Sequence, residues 1–289
     1  MLKSIKRLAI AVTSAGLLSG VAGVAPANAI TGGTADGEGH PNVGLILFYE
    51  AAGRFRCTGT LVSPTVVLTA AHCTAGTLGK TLVTFDTKIA DAPPSGFPVA
   101  ADPAVGFTDA DLDASAYDVR GTAYAHPEYS DFTDLDNWND VGVIVLDEPV
   151  EGITPAVIAP VDYLNDYAQP VLNQTIFTSV GYGTEVRKPE SGKQKPTPQS
   201  YPLIRRYADE PGQKLTSQIL QVNGNIHDTR GTGGTCFGDS GGPTFHGGYV
   251  VTVTSYGYTQ NCRYLDGLQR VDIPVVAEWL AEFGVVSPA

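Results

Sequence analysis

The sequence predicts an all-β fold with a single terminal helix, and three observations carry that expectation. Short runs rich in Val, Ile, Thr and aromatic residues recur along its 289 residues, the pattern of strands rather than of long amphipathic helices. Thirty-three glycines and 20 prolines separate those runs, as turns between short strands require. With 43% hydrophobic and 17% charged residues, the chain lies far from the disordered regime and can bury a core.

The first 29 residues stand apart from the fold. Lys3, Lys6 and Arg7 form a basic head, Leu8 to Val24 an apolar stretch, and Ala27-Asn28-Ala29 an A-x-A cleavage site. Together they read as a secretory signal peptide. A membrane anchor would need about 20 uninterrupted apolar residues, whereas Gly16, Gly20, Gly23 and serines break this stretch. Its removal leaves 260 residues (289 less 29) and a charge of −15 (15 basic against 30 acidic). Such acidity disfavours nucleic acid and anionic lipid as partners.

The expected strands follow in order at Val43–Tyr49, Phe55–Val62, Val66–Thr69, Leu82–Phe85, Val141–Leu146, Thr175–Gly181, Gln218–Asn223 and Tyr249–Tyr256. Each is flanked by Gly, Pro or Asp, so they form two groups of strands. The helix is expected near the end, where Val275, Val276, Trp279, Leu280 and Phe283 repeat with helical spacing between Pro274 and Gly284. Two stretches break the pattern. Residues 86 to 139 are rich in Asp, Ala, Pro and Gly. Ten acidic residues from Asp102 to Asp140 make a calcium site conceivable, but their spacing is not that of an EF-hand loop, and a solvated acidic face is the reading. Arg187 to Lys214, with Lys188, Lys193, Lys195, Arg205 and Arg206, reads as a long exposed basic loop open to nicking. No internal repeat is visible in the residues.

Export permits disulfides. Cys57, Cys73, Cys236 and Cys262 allow three pairings, and the local one, Cys57 with Cys73 and Cys236 with Cys262, is favoured because each pair falls within a short segment. No CxxC or HxxxH spacing points to a metal.

Chemistry concentrates in Gly238-Asp239-Ser240-Gly241-Gly242-Pro243. Glycines around a serine let the backbone turn tightly and expose the hydroxyl and adjacent amides, as a nucleophile beside an oxyanion hole requires. Leu68-Thr69-Ala70-Ala71-His72-Cys73 offers a histidine at the end of an apolar strand, the base such a serine needs. Asn139-Asp140-Val141-Gly142 places an aspartate at the mouth of another apolar strand, suited to orient the imidazole. Asp134 and Asp136 are rival carboxylates without that strand context. His40, His126, His227 and His246 carry no catalytic motif.

These strings, in the order histidine, aspartate, serine, resemble the secreted serine proteases of the trypsin and chymotrypsin type, most of all their bacterial members. Ile30-Thr31-Gly32-Gly33, His126-Pro127-Glu128-Tyr129, Gly181-Tyr182-Gly183, Ser255-Tyr256-Gly257 and the terminal helix extend the likeness over residues 30 to 285. The resemblance implies two six-stranded antiparallel β-barrels, roughly 30–150 and 151–272, a C-terminal α-helix at 273–284, and an active site in the cleft between barrels. His72, Asp140 and Ser240 would be the triad, and the amides of Gly238 and Ser240 the oxyanion hole. The cysteines fall where the family has bridges, which agrees with the local pairing. The 68-residue gap from His72 to Asp140 implies an insertion in the first barrel.

By the same likeness a free Ile30 amino group would pair with Asp239 and signal cleavage alone would activate the enzyme, although Thr31 departs from the family's usual Val. Gly234 stands where trypsins carry an aspartate, so a non-trypsin primary pocket of apolar or mixed specificity is expected, with Ser255, Tyr256 and Gly257 as its wall. Ungapped counting puts Asp266 on the far wall, which would admit Lys or Arg; one gap puts Gly267 there and leaves the pocket neutral. The implied protein is a secreted, extracellular endopeptidase. Its partners would be a protein or peptide substrate and a protein protease inhibitor. It would be a monomer with no cofactor and no membrane association after cleavage. The alternatives are an inactive homologue acting as a binding module, and a secreted serine esterase, against which the barrel motifs and the expected lack of a nucleophile elbow argue.

Overall fold

The computed structural model describes residues 30–117, 119–186 and 199–289. The leader read as a signal peptide and Lys188, Lys193 and Lys195 lie outside these residues. Two closed antiparallel β-barrels account for most of the chain. The first comprises β1 (Val43–Glu50), β2 (Gly53–Ser63), β3 (Val66–Thr69), β4 (Leu78–Thr84), β5 (Arg120–Ala125) and β6 (Gly142–Leu146). The second comprises β7 (Ile176–Gly181), β8 (Arg206–Leu215), β9 (Ile219–Asn223), β10 (Pro243–His246), β11 (Tyr249–Gly257) and β12 (Leu265–Arg270). Around the first ring the order is β1-β2-β3-β6-β5-β4; around the second it is β7-β8-β9-β12-β11-β10. The two orders are the same, so the molecule repeats a topology that its residues do not repeat.

Every apolar run expected to be a strand is one, because β-branched and aromatic side chains fill each interior. Ile46, Phe48, Leu61, Val67, Val83, Ile144 and Leu146 pack the first barrel. Phe177, Leu220, Val222, Val251 and Leu268 pack the second. A closed barrel leaves no unpaired edge to solvate. The expected insertion lies between β4 and β5, where it includes a short helix α1 (Asp109–Asp113) capped by Thr108. Its Ala100, Phe107 and Leu112 are buried against β1 and its Asp109 and Asp113 face solvent, as do Asp131, Asp134 and Asp136 in the loop between β5 and β6.

The terminal helix α2 (Pro274–Ala281) begins with Pro274 in its first turn and continues through turn-type bonds to Gly284, whose φ is +75°. It follows the second barrel in sequence yet packs on both. Val276, Trp279 and Leu280 join Val66, Leu68 and Val143 of the first barrel and Val250 and Val253 of the second in one buried cluster. Among the described residues no helix is long and apolar enough to cross a membrane.

The basic loop expected at 187–214 is corrected at its C-terminal half. Arg205 has no exposure and Arg206 only 2%, because β8 begins there and a buried guanidinium must be satisfied. Arg205 Nε donates to Asp36 Oδ2 at 2.8 Å, and its terminal nitrogens reach the carbonyls of Val43, Phe85 and Gly37. The segment Thr34–Ala35 pairs with β8, so Asp36 neutralises Arg205 from the second barrel's side while the bonds of Arg205 to Val43 and Phe85 link the start of that barrel's wall to the first barrel.

Candidate active site

His72 sits on a single 3₁₀ turn, Ala71–Cys73, that ends β3. The Cys57–Cys73 disulfide ties that turn to β2. Asp140 stands two residues before the start of β6, which pairs with β3, so the strand register carries the carboxylate to the imidazole. Asp140 Oδ1 accepts the His72 backbone N–H at 2.9 Å, and Oδ2 lies 2.8 Å from His72 Nδ1. From the other barrel, Ser255 Oγ on β11 donates to Asp140 Oδ2 at 2.6 Å and accepts from Trp138 Nε1 at 2.9 Å. The Asp140 backbone N–H donates to Gln269 Oε1. The fully buried carboxylate is thus surrounded by donors, the condition under which a buried charge is tolerated.

Burial presses the His72 pKa down, but the negative charge and hydrogen bond of Asp140 and the field of Glu50 at the end of β1 outweigh it, and the net displacement is upward. A raised imidazole pKa is what a group that must hold a proton in mid-reaction requires. Asp134 and Asp136 are exposed and occupied within their own turn, so they are not brought to His72.

Ser240 lies in the turn before β10. Gly238 (φ +98°) and Gly241 (φ +73°) flank it in left-handed conformations that a side chain strains. A Cβ at Gly241 would also run into Thr69 Oγ1 and the Ala70 nitrogen. Two bonds from β2 fix the turn across the cleft: Thr58 N–H to Ser240 O at 2.8 Å and Thr58 Oγ1 to Gly238 O at 2.9 Å. Among the described residues Ser240 Oγ makes no hydrogen bond to His72, a looseness common before substrate arrives. The letters from Gly238 to Gly242 do fit G-x-S-x-G, but the turn leads into strand β10 rather than into a helix, so it is not the nucleophile elbow of that motif.

Beside Ser240 opens a pocket of about 200 Å³ lined by Thr235, Cys236, Ser255, Tyr256, Gly257 and Asp266, among others. Asp266 is opposite Gly257 in the β11–β12 register. Gly267, the alternative far-wall residue, lies under the Tyr256 ring, which a Cβ there would strike. Of these two residues, Asp266 is the one that lines the pocket. Asp266 is 2% exposed and accepts the Thr235 N–H at 2.9 Å; burial pushes its pKa up to about 6. Gly234 does not line the pocket. It lies behind it, where a side chain would collide with Gly224 and where its N–H donates to Thr31 O at 3.0 Å. The second disulfide, Cys236–Cys262, closes the pocket's rim.

Ile30 is fully buried with φ +50°. With Ala29 still attached its nitrogen belongs to a peptide bond, and the Asp239 carboxylate instead accepts from Gly183 N–H at 2.7 Å and Cys236 N–H at 2.8 Å. Burial pushes the Asp239 pKa up to about 7, with Arg56 as the nearby opposing cation. Among the described residues, the Cys57–His72–Cys73 group has metal-ligand proximity, but its two sulfurs are bonded to each other.

Sequence reasoning placed Ser255 on the pocket wall and missed its bond to Asp140, together with Trp138, Gln269 and Gly224. Each acts across more than one segment, and no local string announces it.

Two barrels with a histidine–aspartate couple facing a glycine-framed serine define the serine-protease class of architecture. A family model described as Trypsin matches residues 31–280, and the chain belongs to that family, whose members are hydrolases acting on peptide bonds. It is 29% identical over 231 residues to Brachyurin of Leptuca pugilator, covering 74% of this chain and 82% of that protein. It is 31% identical over 207 residues to the CLIP domain-containing serine protease B10 of Anopheles gambiae, covering 65% of this chain and half (50%) of that protein's length. Among solved structures, HL collagenase superposes with a TM-score of 0.59 at 17% identity over 89% of this chain and 98% of that one. The scabies mite inactivated protease paralogue S-D1 does so at 0.56 and 16% identity, over 90% and 100%.

Proposed function

We propose that this chain is a secreted serine endopeptidase working through His72, Asp140 and Ser240. The observation that carries this reading is the buried Asp140 carboxylate bonded to His72 Nδ1 and to Ser255 across the cleft, with Ser240 on the facing loop and a pocket beside it. Ser240 Oγ attacks the peptide carbonyl while His72 Nε2 takes its proton. The amides of Gly238 and Ser240 receive the oxyanion, and His72 returns the proton to the leaving amine. Water then hydrolyses the acyl-enzyme by the same proton transfers. The roles follow the general triad template, which is itself drawn from this family.

Asp266 gives the pocket a carboxylate without the aspartate that Gly234 lacks, so Lys and Arg are accepted beside apolar side chains. Signal cleavage at Ala29 frees Ile30, whose amino group replaces a peptide nitrogen near the loop of Asp239. The bacterial affinity of the motifs belongs to this reading too; the relatives found are arthropod proteins.

Because inactivated paralogues share the fold, architecture alone does not separate an enzyme from a binding module. A serine-directed organophosphonate should label the purified protein stoichiometrically at Ser240, and Ser240→Ala should abolish labelling and lower kcat for peptide cleavage by about 10⁶-fold. Stoichiometric folded protein that neither labels nor cleaves would establish the binding-module reading instead.

A further inference from the structure

Glu210, on β8, is a buried acid that the triad does not use. Its side chain has no exposure. Oε2 accepts from Ser179 Oγ at 2.6 Å, and Ser179 Oγ is itself 3.0 Å from Thr244 Oγ1. Oε1 is equally buried and receives no donor. What the side chain does meet is a second carboxylate, for Glu210 and Asp266 are in side-chain hydrogen-bond contact. The charged groups acting on this pair are each other and Asp239, which Arg56 faces in turn. Two carboxyl groups touching in a dry interior cannot both be ionised, and a hydrogen bond between them requires a proton.

We propose that Glu210 keeps that proton and donates it to Asp266, making Glu210 the positioning residue that sets whether the primary pocket presents a negative charge to a Lys or Arg side chain. The inference rests on the reading of Asp266 as the pocket's charge-bearing wall. The proton belongs on Glu210 because Asp266 already accepts the Thr235 N–H, whereas Glu210 has only a hydroxyl donor. In agreement, burial and the neighbouring Asp266 hold the Glu210 pKa well above the usual carboxylate range, while that of Asp266 rises only to about 6. Asp266 is therefore ionised above that value and neutral below it. The preference for basic side chains is present at neutral pH and is lost as pH falls through it, leaving a pocket that takes apolar side chains.

The test is kcat/KM across pH for two peptides that differ only in Lys or Leu before the cleaved bond, in the mature protein and in Asp266→Ala, Glu210→Leu and Glu210→Gln. The Lys-to-Leu ratio should fall about tenfold per unit below pH ~6 in the unsubstituted protein. Asp266→Ala should give a low ratio that does not vary with pH. Glu210→Leu removes the donor, so its ratio should begin to fall at higher pH. Glu210→Gln, an uncharged donor of the same shape, should restore the original profile. An infrared band of a protonated buried carboxyl, present at neutral pH, should vanish in Glu210→Gln.

A high ratio surviving in Asp266→Ala overturns the underlying reading of Asp266. If Asp266→Ala behaves as expected, the Glu210 proposal itself falls on any of three results: a Glu210→Leu profile unchanged, a Glu210→Gln profile moved to lower pH as removal of a charge would move it, or no infrared band. Organophosphonate titration counts competent sites in each variant, and if Glu210→Leu does not fold, Glu210→Gln and the infrared band decide alone.

Discussion

Asp140 is held by its neighbours more tightly than a partner to a single imidazole needs to be. Ser255 donates to the same oxygen that meets His72 Nδ1, and Trp138 fixes the Ser255 rotamer from the side. Removing that hydroxyl leaves Asp140 Oδ2 to His72 alone and makes its grip on protonated His72 stronger. Ser255→Ala should therefore lower kcat by about tenfold, the scale of one hydrogen bond to a charged group. It should also move the acid limb of kcat/KM to higher pH than in the parent protein. That limb in the parent is expected above about 6.5, the ordinary histidine value, since His72 is raised and catalysis needs it neutral. Steady-state kinetics across pH checks both. His72, Asp140 and Ser240 were legible because each sits in a string whose chemistry is local. Ser255 and Gln269 were not legible in this role, because their bonds to Asp140 span 115 and 129 positions of chain.

At the scale of elements, periodicity missed β5, β8, β10 and β12, and two of these, β8 and β12, share a physical character. β8 reads RYADEPGQKL and β12 LDGLQR, with charges, Pro and Gly where alternating apolar residues were sought. Their inward positions hold Arg206, Glu210 and Asp266 instead, which are tolerated through hydrogen bonds and shared protons. The helix was legible because its apolar stripe is long enough to show its period, but which barrel it would meet was not. Trp279, 7% exposed, sits edge-on to His126 of the first barrel at 5.0 Å and to Phe283 at 5.1 Å. Trp279→Ala should cost about 3–5 kcal/mol of stability through the cavity left behind. Thermal denaturation in a Ser240→Ala background, where self-digestion cannot interfere, reads the loss directly.

In the whole molecule, polar bonds that join the two rings include those of Arg205 to the Val43 and Phe85 carbonyls, of Thr58 to the nucleophile loop, and of Ser255 and Gln269 to Asp140. Asp239 is the remaining point of tension, because a carboxylate raised to about 7 by burial favours its neutral form. Its contribution to stability is present below its unfolded value and is lost as pH rises through about 7. A free Ile30 ammonium group would offset that loss. A protein shown by sequencing to retain one extra residue before Ile30 should consequently be at least about 100-fold less active than the processed form, the consequence of losing about 3–5 kcal/mol of buried pairing. Full activity in that extended protein would rule out the activation scheme while leaving the triad intact.

The helix also has a consequence in time. A chain made from its amino terminus produces the first barrel early, with His72 and Asp140 already in it, and produces Val276, Trp279 and Leu280 only after the strands of both barrels. The hydrophobic cluster shared by both barrels lacks part of its packing until those residues arrive. A growing chain therefore holds the base before the serine, and the serine before the helix that consolidates the two barrels. The packing shared by the two barrels is therefore completed only after His72, Asp140 and Ser240 have all been made.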